Sequence, residues 1–171
     1  MKIKEKQFTG GVAEASSVYN TASAIQASNA FLVGSKKFWH SGRDANGKGD
    51  VAFSYPHLIW YKFAKADAFI PARLSFKARL QSGCDPAGCG ATKYQFIASN
   101  DGNCNQYSAW KVLCEDLSGR NFSPVNEVKY CEVKRSDLQK YSCVGISVLG
   151  SSWTKTDEVS VTAIRMWEYV I

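Results

Sequence analysis

Short segments in which apolar and polar residues alternate, each closed by a turn signal, recur along the sequence. The clearest covers residues 73–80, where one face consists of Leu74, Phe76, Ala78 and Leu80. Such alternation predicts a half-buried strand. Shorter segments of this kind cover residues 58–63, 93–98, 110–114, 144–149 and 159–169. Because no segment keeps a helical period, the pattern predicts an all-β fold, either a single antiparallel β-sandwich or a barrel.

The last of these segments changes phase part of the way along. Val159 and Val161 fall on one face, whereas Ile164 and Met166 fall on the other. A strand with one inserted residue brings both sets to the same side, so the sequence predicts a β-bulge near Thr162-Ala163.

Six cysteines lie within residues 84–143, and their even number favours disulfides. Since short loops cost the least entropy to close, the expected pairs are neighbours: Cys84 with Cys89, Cys104 with Cys114, and Cys131 with Cys143. Disulfides indicate an oxidising compartment, so we expect a secreted or extracellular protein. The alternatives are a zinc site, for which Cys-x-x-Cys pairs are missing, and buried free thiols in a cytosolic protein.

The chain has the size of one domain, with 171 residues of which 45% are hydrophobic. Residues 1–10 are expected to form a flexible N-terminal tail before a domain over residues 11–171. No apolar run is long enough to span a membrane, and we expect any secretion signal to have been removed or replaced. The formal net charge is +6, but no block of basic residues concentrates it, so nucleic acid is not an expected partner.

Several stretches occur in an order that carries a family resemblance. They are residues 12–17, residues 29–41 with Trp39, residues 58–63, residues 94–113 with a Ser-Asn-Asp-Gly turn, and the closing Ala-Ile-Arg-Met at 163–166. Together they resemble the discoidin family, also called the coagulation factor five/eight type C domain, over nearly the whole chain. The resemblance implies a galactose-binding-like β-sandwich of jelly-roll type, with Trp39 in its core.

The sequence departs from the family at two points. Members often carry an aspartate in the strand at residues 58–63 that pairs with the closing arginine, but Lys62 stands there, so Arg165 is expected to lack that partner. The long-range terminal disulfide of the coagulation branch is also absent. The chain therefore resembles a divergent member, and the identity of a ligand does not carry over.

The resemblance implies that a ligand sits on the loops at one end of the sandwich, in agreement with the general placement of function on loops. Sugar recognition needs donors and acceptors for hydroxyl groups and an aromatic face for the apolar side of a ring. Three loops, residues 19–26, 38–57 and 81–93, supply such groups. The candidate ligand-binding residues are Tyr19, His40, Arg43, Tyr55, His57 and Lys93. For each of them the alternative is a solvated loop residue.

Residues 44–50 match part of a calcium-loop pattern, with Asp44, Asn46 and Asp50 at its first, third and seventh positions. Lys48 at the fifth position and Tyr55 at the twelfth break the pattern, which favours a polar turn. We therefore expect no cofactor, and a structural calcium ion held by these three side chains is the alternative.

The sequence carries no nucleophile elbow, metalloprotease motif or phosphate loop, and we do not expect an enzyme. The leading hypothesis is a lectin-like module that recognises cell-surface or matrix glycans, as in cell adhesion. One alternative is binding to anionic phospholipid at a membrane surface. Another is a protein–protein adhesion module, with a homo-oligomer that gains strength by avidity.

Overall fold

The computed structural model describes residues 1–19, 22–42, 55–79, 89–124, 126–134, 136, 138–152 and 158–171. Ten strands account for most of the regular structure: β1 (Lys2–Lys6), β2 (Val12–Ala15), β3 (Trp39–His40), β4 (His57–Lys62), β5 (Pro71–Ala78), β6 (Ala91–Ser99), β7 (Lys111–Asp116), β8 (Val128–Glu132), β9 (Cys143–Ser151) and β10 (Ser160–Val170). Short 3-10 helices cover Ser23–Ile25, Ala27–Phe31 and Lys65–Asp67. Within these described ranges no helix is both long and apolar enough to cross a membrane.

The strands form two antiparallel sheets of five strands each. The first sheet has the order β1-β10-β5-β8, with β3 also paired to β10, and the second has the order β2-β4-β9-β6-β7. The six segments predicted as strands correspond to β4, β5, β6, β7, β9 and β10. The prediction of a single antiparallel β-sandwich is confirmed.

The core lies between the sheets, where the inward faces of the strands meet. Phe76 of β5 and Tyr94 of β6 are both buried and pack edge to face across the two sheets, with ring centroids 4.7 Å apart. Trp39 is fully buried in the same cluster, as the family resemblance implied. Burial of such large apolar surfaces is the main favourable term in folding.

The bulge predicted near Thr162-Ala163 is present in β10. The register of β10 against β5 shifts between Thr162 and Arg165, and Ala163 has a φ of 50°. Val161 before the bulge and Ile164 after it are both fully buried. The shift therefore keeps Val161, Ile164 and Met166 inside, and it turns Arg165 and Trp167 to the outer face.

Two of the predicted disulfide pairings are wrong. The structure joins Cys104 to Cys143 and Cys114 to Cys131. Cys143 begins β9 opposite Ser99, the last residue of β6, so the turn after β6 brings Cys104 beside it. Strand register, rather than separation in the sequence, selects this partner.

The second disulfide joins the two sheets. Cys114 lies on β7 and Cys131 on β8, which are the edge strands of different sheets. Cys89 is also disulfide-bonded, but its predicted partner Cys84 lies outside the described residues. The expectation of disulfides therefore holds, although sequence proximity did not identify the partners of Cys104 and Cys131.

The N-terminal residues also differ from expectation, because residues 2–6 form a strand rather than a flexible tail. β1 pairs with β10 from Lys2 opposite Val170 to Lys6 opposite Met166. In place of an aspartate on β4, Glu5 of this strand pairs with Arg165. The tail prediction missed β1 because only Ile3 in this segment is apolar.

Candidate functional site

One end of the sandwich gathers several strand ends and the connections between them. β4 begins there at His57, β3 ends there at His40, and β10 begins there with Ser160 opposite His40. We call this end the loop rim and define it as residues 17–19, 38–42, 55–57, 79, 89–91, 150–152 and 158–160. Residues 43–54, 80–88 and 153–157, which join these segments, lie outside the described residues.

Buried hydrogen bonds fix the backbone of the loop rim. The indole Nε1 of Trp39 donates to the Ser17 carbonyl at 2.9 Å, and the Ser17 hydroxyl accepts from the Gly42 amide at 2.8 Å. The fully buried Ser41 hydroxyl accepts from the Val159 amide at 2.9 Å. These buried bonds tie residues 17, 39, 41, 42 and 159 together, so they fix the backbone that supports the exposed side chains of the rim.

Tyr19 and His40, both predicted as ligand-binding, lie together on this support. The Tyr19 amide donates to the His40 carbonyl at 3.0 Å, and the two rings are 4.9 Å apart between centroids. Nδ1 of His40 lies 2.8 Å from the Ser41 carbonyl, which can only accept, so Nδ1 carries the proton. Both side chains are half-buried, so each presents part of its ring to solvent.

Arg79 is a rim residue that is not among the six candidates from the sequence. Its guanidinium carbon lies 4.1 Å from the ring centroid of Phe38, which is buried beside His40. Burial lowers the pKa of Arg79, although an arginine so placed stays protonated at neutral pH. In the sequence Arg79 falls on the polar face of the alternating segment 73–80, which is the pattern of an ordinary solvated strand position.

Tyr55 and His57 also lie together, but deeper in the molecule. Their rings are edge to face with centroids 5.1 Å apart. His57 is only 1% exposed and points inward, on the same face of β4 as Ile59. Tyr55 packs against the core with part of its surface exposed. His57 therefore lies under the loop rim rather than on it.

Lys93 lies on β6 of the second sheet, opposite the rim residue Gly150. Its side chain is exposed on β6 and runs beside Gly119 and Gly150. Arg43 and the candidate calcium ligands Asp44, Asn46 and Asp50 lie outside the described residues. Elsewhere in the described part of the chain, no group of three or more His, Cys, Asp or Glu side chains is arranged to hold a metal ion.

Comparisons with known proteins identify the fold. No family model and no curated protein matches the sequence. Among solved structures, the CBM32-3 module from a family 31 glycoside hydrolase of Clostridium perfringens is 17% identical with a TM-score of 0.68, and the match covers 96% of this chain and 95% of that one. An F5/8 type C domain from Bacteroides fragilis is 11% identical with a TM-score of 0.67, over 99% and 98% of the two chains.

A third similar structure contains the CBM32-1, CBM32-2 and M60 catalytic domains of Clostridium perfringens ZmpB. It is 10% identical with a TM-score of 0.66, and the match covers 97% of this chain but 15% of that one. The likeness is thus to a module-sized part of that longer protein. At these identities the comparisons establish the architecture: the chain has the discoidin-like β-sandwich fold of F5/8 type C domains and CBM32 modules.

Proposed function

We propose that the protein is a non-catalytic, extracellular module that binds a glycan at the loop rim. The observation that carries the proposal is the grouping of the Tyr19 ring, the His40 imidazole and the Arg79 guanidinium on a backbone fixed by buried hydrogen bonds. A rigid scaffold that presents polar and aromatic side chains at its loop end is a common arrangement for binding.

The three side chains match the chemistry of a sugar ring. The partly exposed ring of Tyr19 suits the apolar side of a pyranose. The His40 imidazole and the planar Arg79 guanidinium are the kinds of polar group that recognise sugar hydroxyls. Tyr55 and the buried His57 pack beneath the rim. Arg43, a candidate from the sequence, is proposed as a further contact to the glycan.

Two further observations support this proposal. The similar structures include CBM32 modules, one of them from a glycoside hydrolase, and a chitosan-binding module from Paenibacillus. None of the described cysteines is free, which suits an oxidising, extracellular setting. The identity of the sugar is left to experiment.

The test begins with a glycan array and continues with calorimetry on the strongest neutral hit. We expect Tyr19→Ala/His40→Ala and His40→Ala/Arg43→Ala to weaken binding by about tenfold or more, with little change in melting temperature. Tyr107→Ala is the matched control, because Tyr107 is 86% exposed and lies outside the rim. Binding that survives both double substitutions in folded protein would place the glycan elsewhere, and lack of any glycan binding would overturn the proposal.

A further inference from the structure

The outer face of the first sheet carries a concave site, which we call the side groove. It encloses about 430 Å³ and is bounded by β8, β5, β10 and the turn at Val33-Gly34. This volume falls in the range of roughly 300–1,000 Å³ that is usual for small-ligand sites. None of its lining residues belongs to the loop rim.

The sequence builds this groove through two features described above. The alternation in β5 sends Leu74 and Phe76 inward and leaves Arg73, Ser75 and Lys77 on the outer face. The bulge at Ala163 reverses the phase of β10, and so Arg165 and Trp167 also face outward. Because β5 lies between β10 and β8, all these side chains meet in one depression.

The lining of the side groove contains basic side chains. Arg73, Lys77 and Arg165 contribute to it, and no aspartate or glutamate does. Arg165 uses Nε and Nη2 to bind Glu5, and Arg73 uses Nη2 to bind Glu132 at 2.5 Å. The Nη1 groups of both arginines take no part in these pairs. Lys77 forms no ion pair within the part of the chain that the structure describes.

The groove also contains an unsatisfied donor and an aromatic surface. Nε of Arg73 is buried and has no acceptor among the described residues, which is rare for a buried donor and points to an acceptor from outside the chain. Tyr130 on β8 is 63% exposed at the edge of the groove. The opposite side of the groove carries Trp167. The guanidinium carbons of Arg73 and Arg165 lie 5.7 and 5.2 Å from the centroid of its ring.

We propose that the side groove binds an acidic saccharide. Its carboxylate or sulfate groups would be held by Arg73, Lys77 and Arg165, while one sugar ring stacks on Tyr130. The remaining guanidinium N–H groups and the Lys77 ammonium suit oxyanions, and an exposed aromatic ring suits a pyranose face. A concave site of this size accepts a short oligosaccharide, whereas the flat surface of a lipid bilayer cannot enter it. This site is separate from the loop rim and does not depend on the function proposed there.

The test measures binding of a heparin-derived tetrasaccharide and of tetragalacturonate by calorimetry, with neutral cellotetraose for comparison. We expect at least one acidic probe to bind wild-type protein, and Lys77→Gln/Tyr130→Ala to weaken that binding by about tenfold or more. The matched control is Tyr107→Ala/Lys140→Gln, which removes one ring and one charge from outside the groove. This control should bind the acidic probe as the wild type does.

Three outcomes would overturn the proposal: equal losses in the two double variants, which indicate general charge attraction; unchanged binding in Lys77→Gln/Tyr130→Ala; or binding only to phosphatidylserine vesicles. Tyr19→Ala/His40→Ala separates the two sites, since it should keep affinity for the acidic probe. If no neutral glycan binds, that result contradicts the proposal for the loop rim and leaves the proposal for the side groove unaffected. Far-ultraviolet circular dichroism and melting curves verify that each variant is folded.

Discussion

Glu5 and Arg165 form a bidentate ion pair between residues 160 positions apart in the sequence. Nε of Arg165 donates to Oε1 of Glu5 and Nη2 to Oε2, each at 2.7 Å. This hydrogen bonding lowers the pKa of Glu5 and raises the pKa of Arg165. The pair holds the edge strand β1 against β10.

The lowered pKa of Glu5 makes part of the stability depend on pH. The folded state favours the ionised carboxylate, so this contribution is complete above the ordinary value of 4.5 and disappears as pH falls through the lower folded value. Glu5→Gln should remove it. The Arg165 side chain is 43% exposed and the Glu5 side chain is 31% exposed. Screening by solvent therefore limits the loss of stability at neutral pH to less than about 1 kcal/mol.

Urea denaturation from pH 7 down to pH 3 measures this effect. Wild type and Glu5→Gln should converge at the acidic end, while Lys4→Gln, a control on the opposite face of β1, should follow the wild-type pH profile. A constant difference between wild type and Glu5→Gln at every pH would mean that the ion pair makes no pH-dependent contribution.

The disulfide connectivity can be tested by peptide mapping without reduction. Trypsin should release residues 112–120 linked to residues 130–134, through Cys114 and Cys131, and residues 94–111 linked to residues 141–155, through Cys104 and Cys143. A link between residues 94–111 and 112–120 would instead support pairing of neighbours. Cys114→Ser/Cys131→Ser should lower the free energy of unfolding by about 2–4 kcal/mol, measured by urea denaturation.

Gly145 on β9 lies opposite Trp60 on β4, with no room for a side chain. A Cβ atom there would collide with the Ile59 carbonyl oxygen and lie 2.8 Å from Cβ of Trp60. Gly145→Ala should therefore destabilise the protein by roughly 1–3 kcal/mol, because two central strands must move apart. Gly102→Ala is the matched control, since a Cβ at Gly102 has no atom within 4 Å. Equal melting temperatures for the two variants would contradict the close approach.

Ala163 sits in the left-handed region with a φ of 50°. An L-residue there is strained by roughly 1–2 kcal/mol, and glycine is not. Ala163→Gly should raise the free energy of unfolding by about 0.5 kcal/mol, after allowing for the larger entropy of glycine in the unfolded chain. Ala163→Val should lower it, because branching worsens the strain. Thermal melts of the two variants measure both effects, and a less stable Ala163→Gly would argue against the bulge.

Local patterns in the sequence were enough to predict the strands and the bulge. Leu74, Phe76 and Ala78 alternate without interruption, and the phase change between Val161 and Ile164 is visible in the residues themselves. Strand β1 was missed because its pairing rests on backbone hydrogen bonds and on Glu5, not on apolar periodicity. The partners of Cys104 and Cys114 depend on how distant strands align, which loop entropy does not determine.

The candidate site was predicted only in part for the same reason. Tyr19 and His40 belong to different loops, and the resemblance to a known family brought them to one end of the sandwich. His57 is buried because it is the first residue of β4 and lies on the inward face of that strand. In the sequence it follows the turn signal Tyr55-Pro56, which favours a loop position instead. Arg79 and the side groove arise from residues on the outer side of alternating strands, where a single sequence does not distinguish a site from a solvated face.

The alignment of Lys2 with Val170 has a consequence for how such a module could be joined to other proteins. β10 begins at the loop rim and ends at the opposite end of the sandwich, where β1 begins. A fusion partner grafted onto either terminus would thus be attached at the end of the sandwich that lies opposite the loop rim, and the rim would stay uncovered.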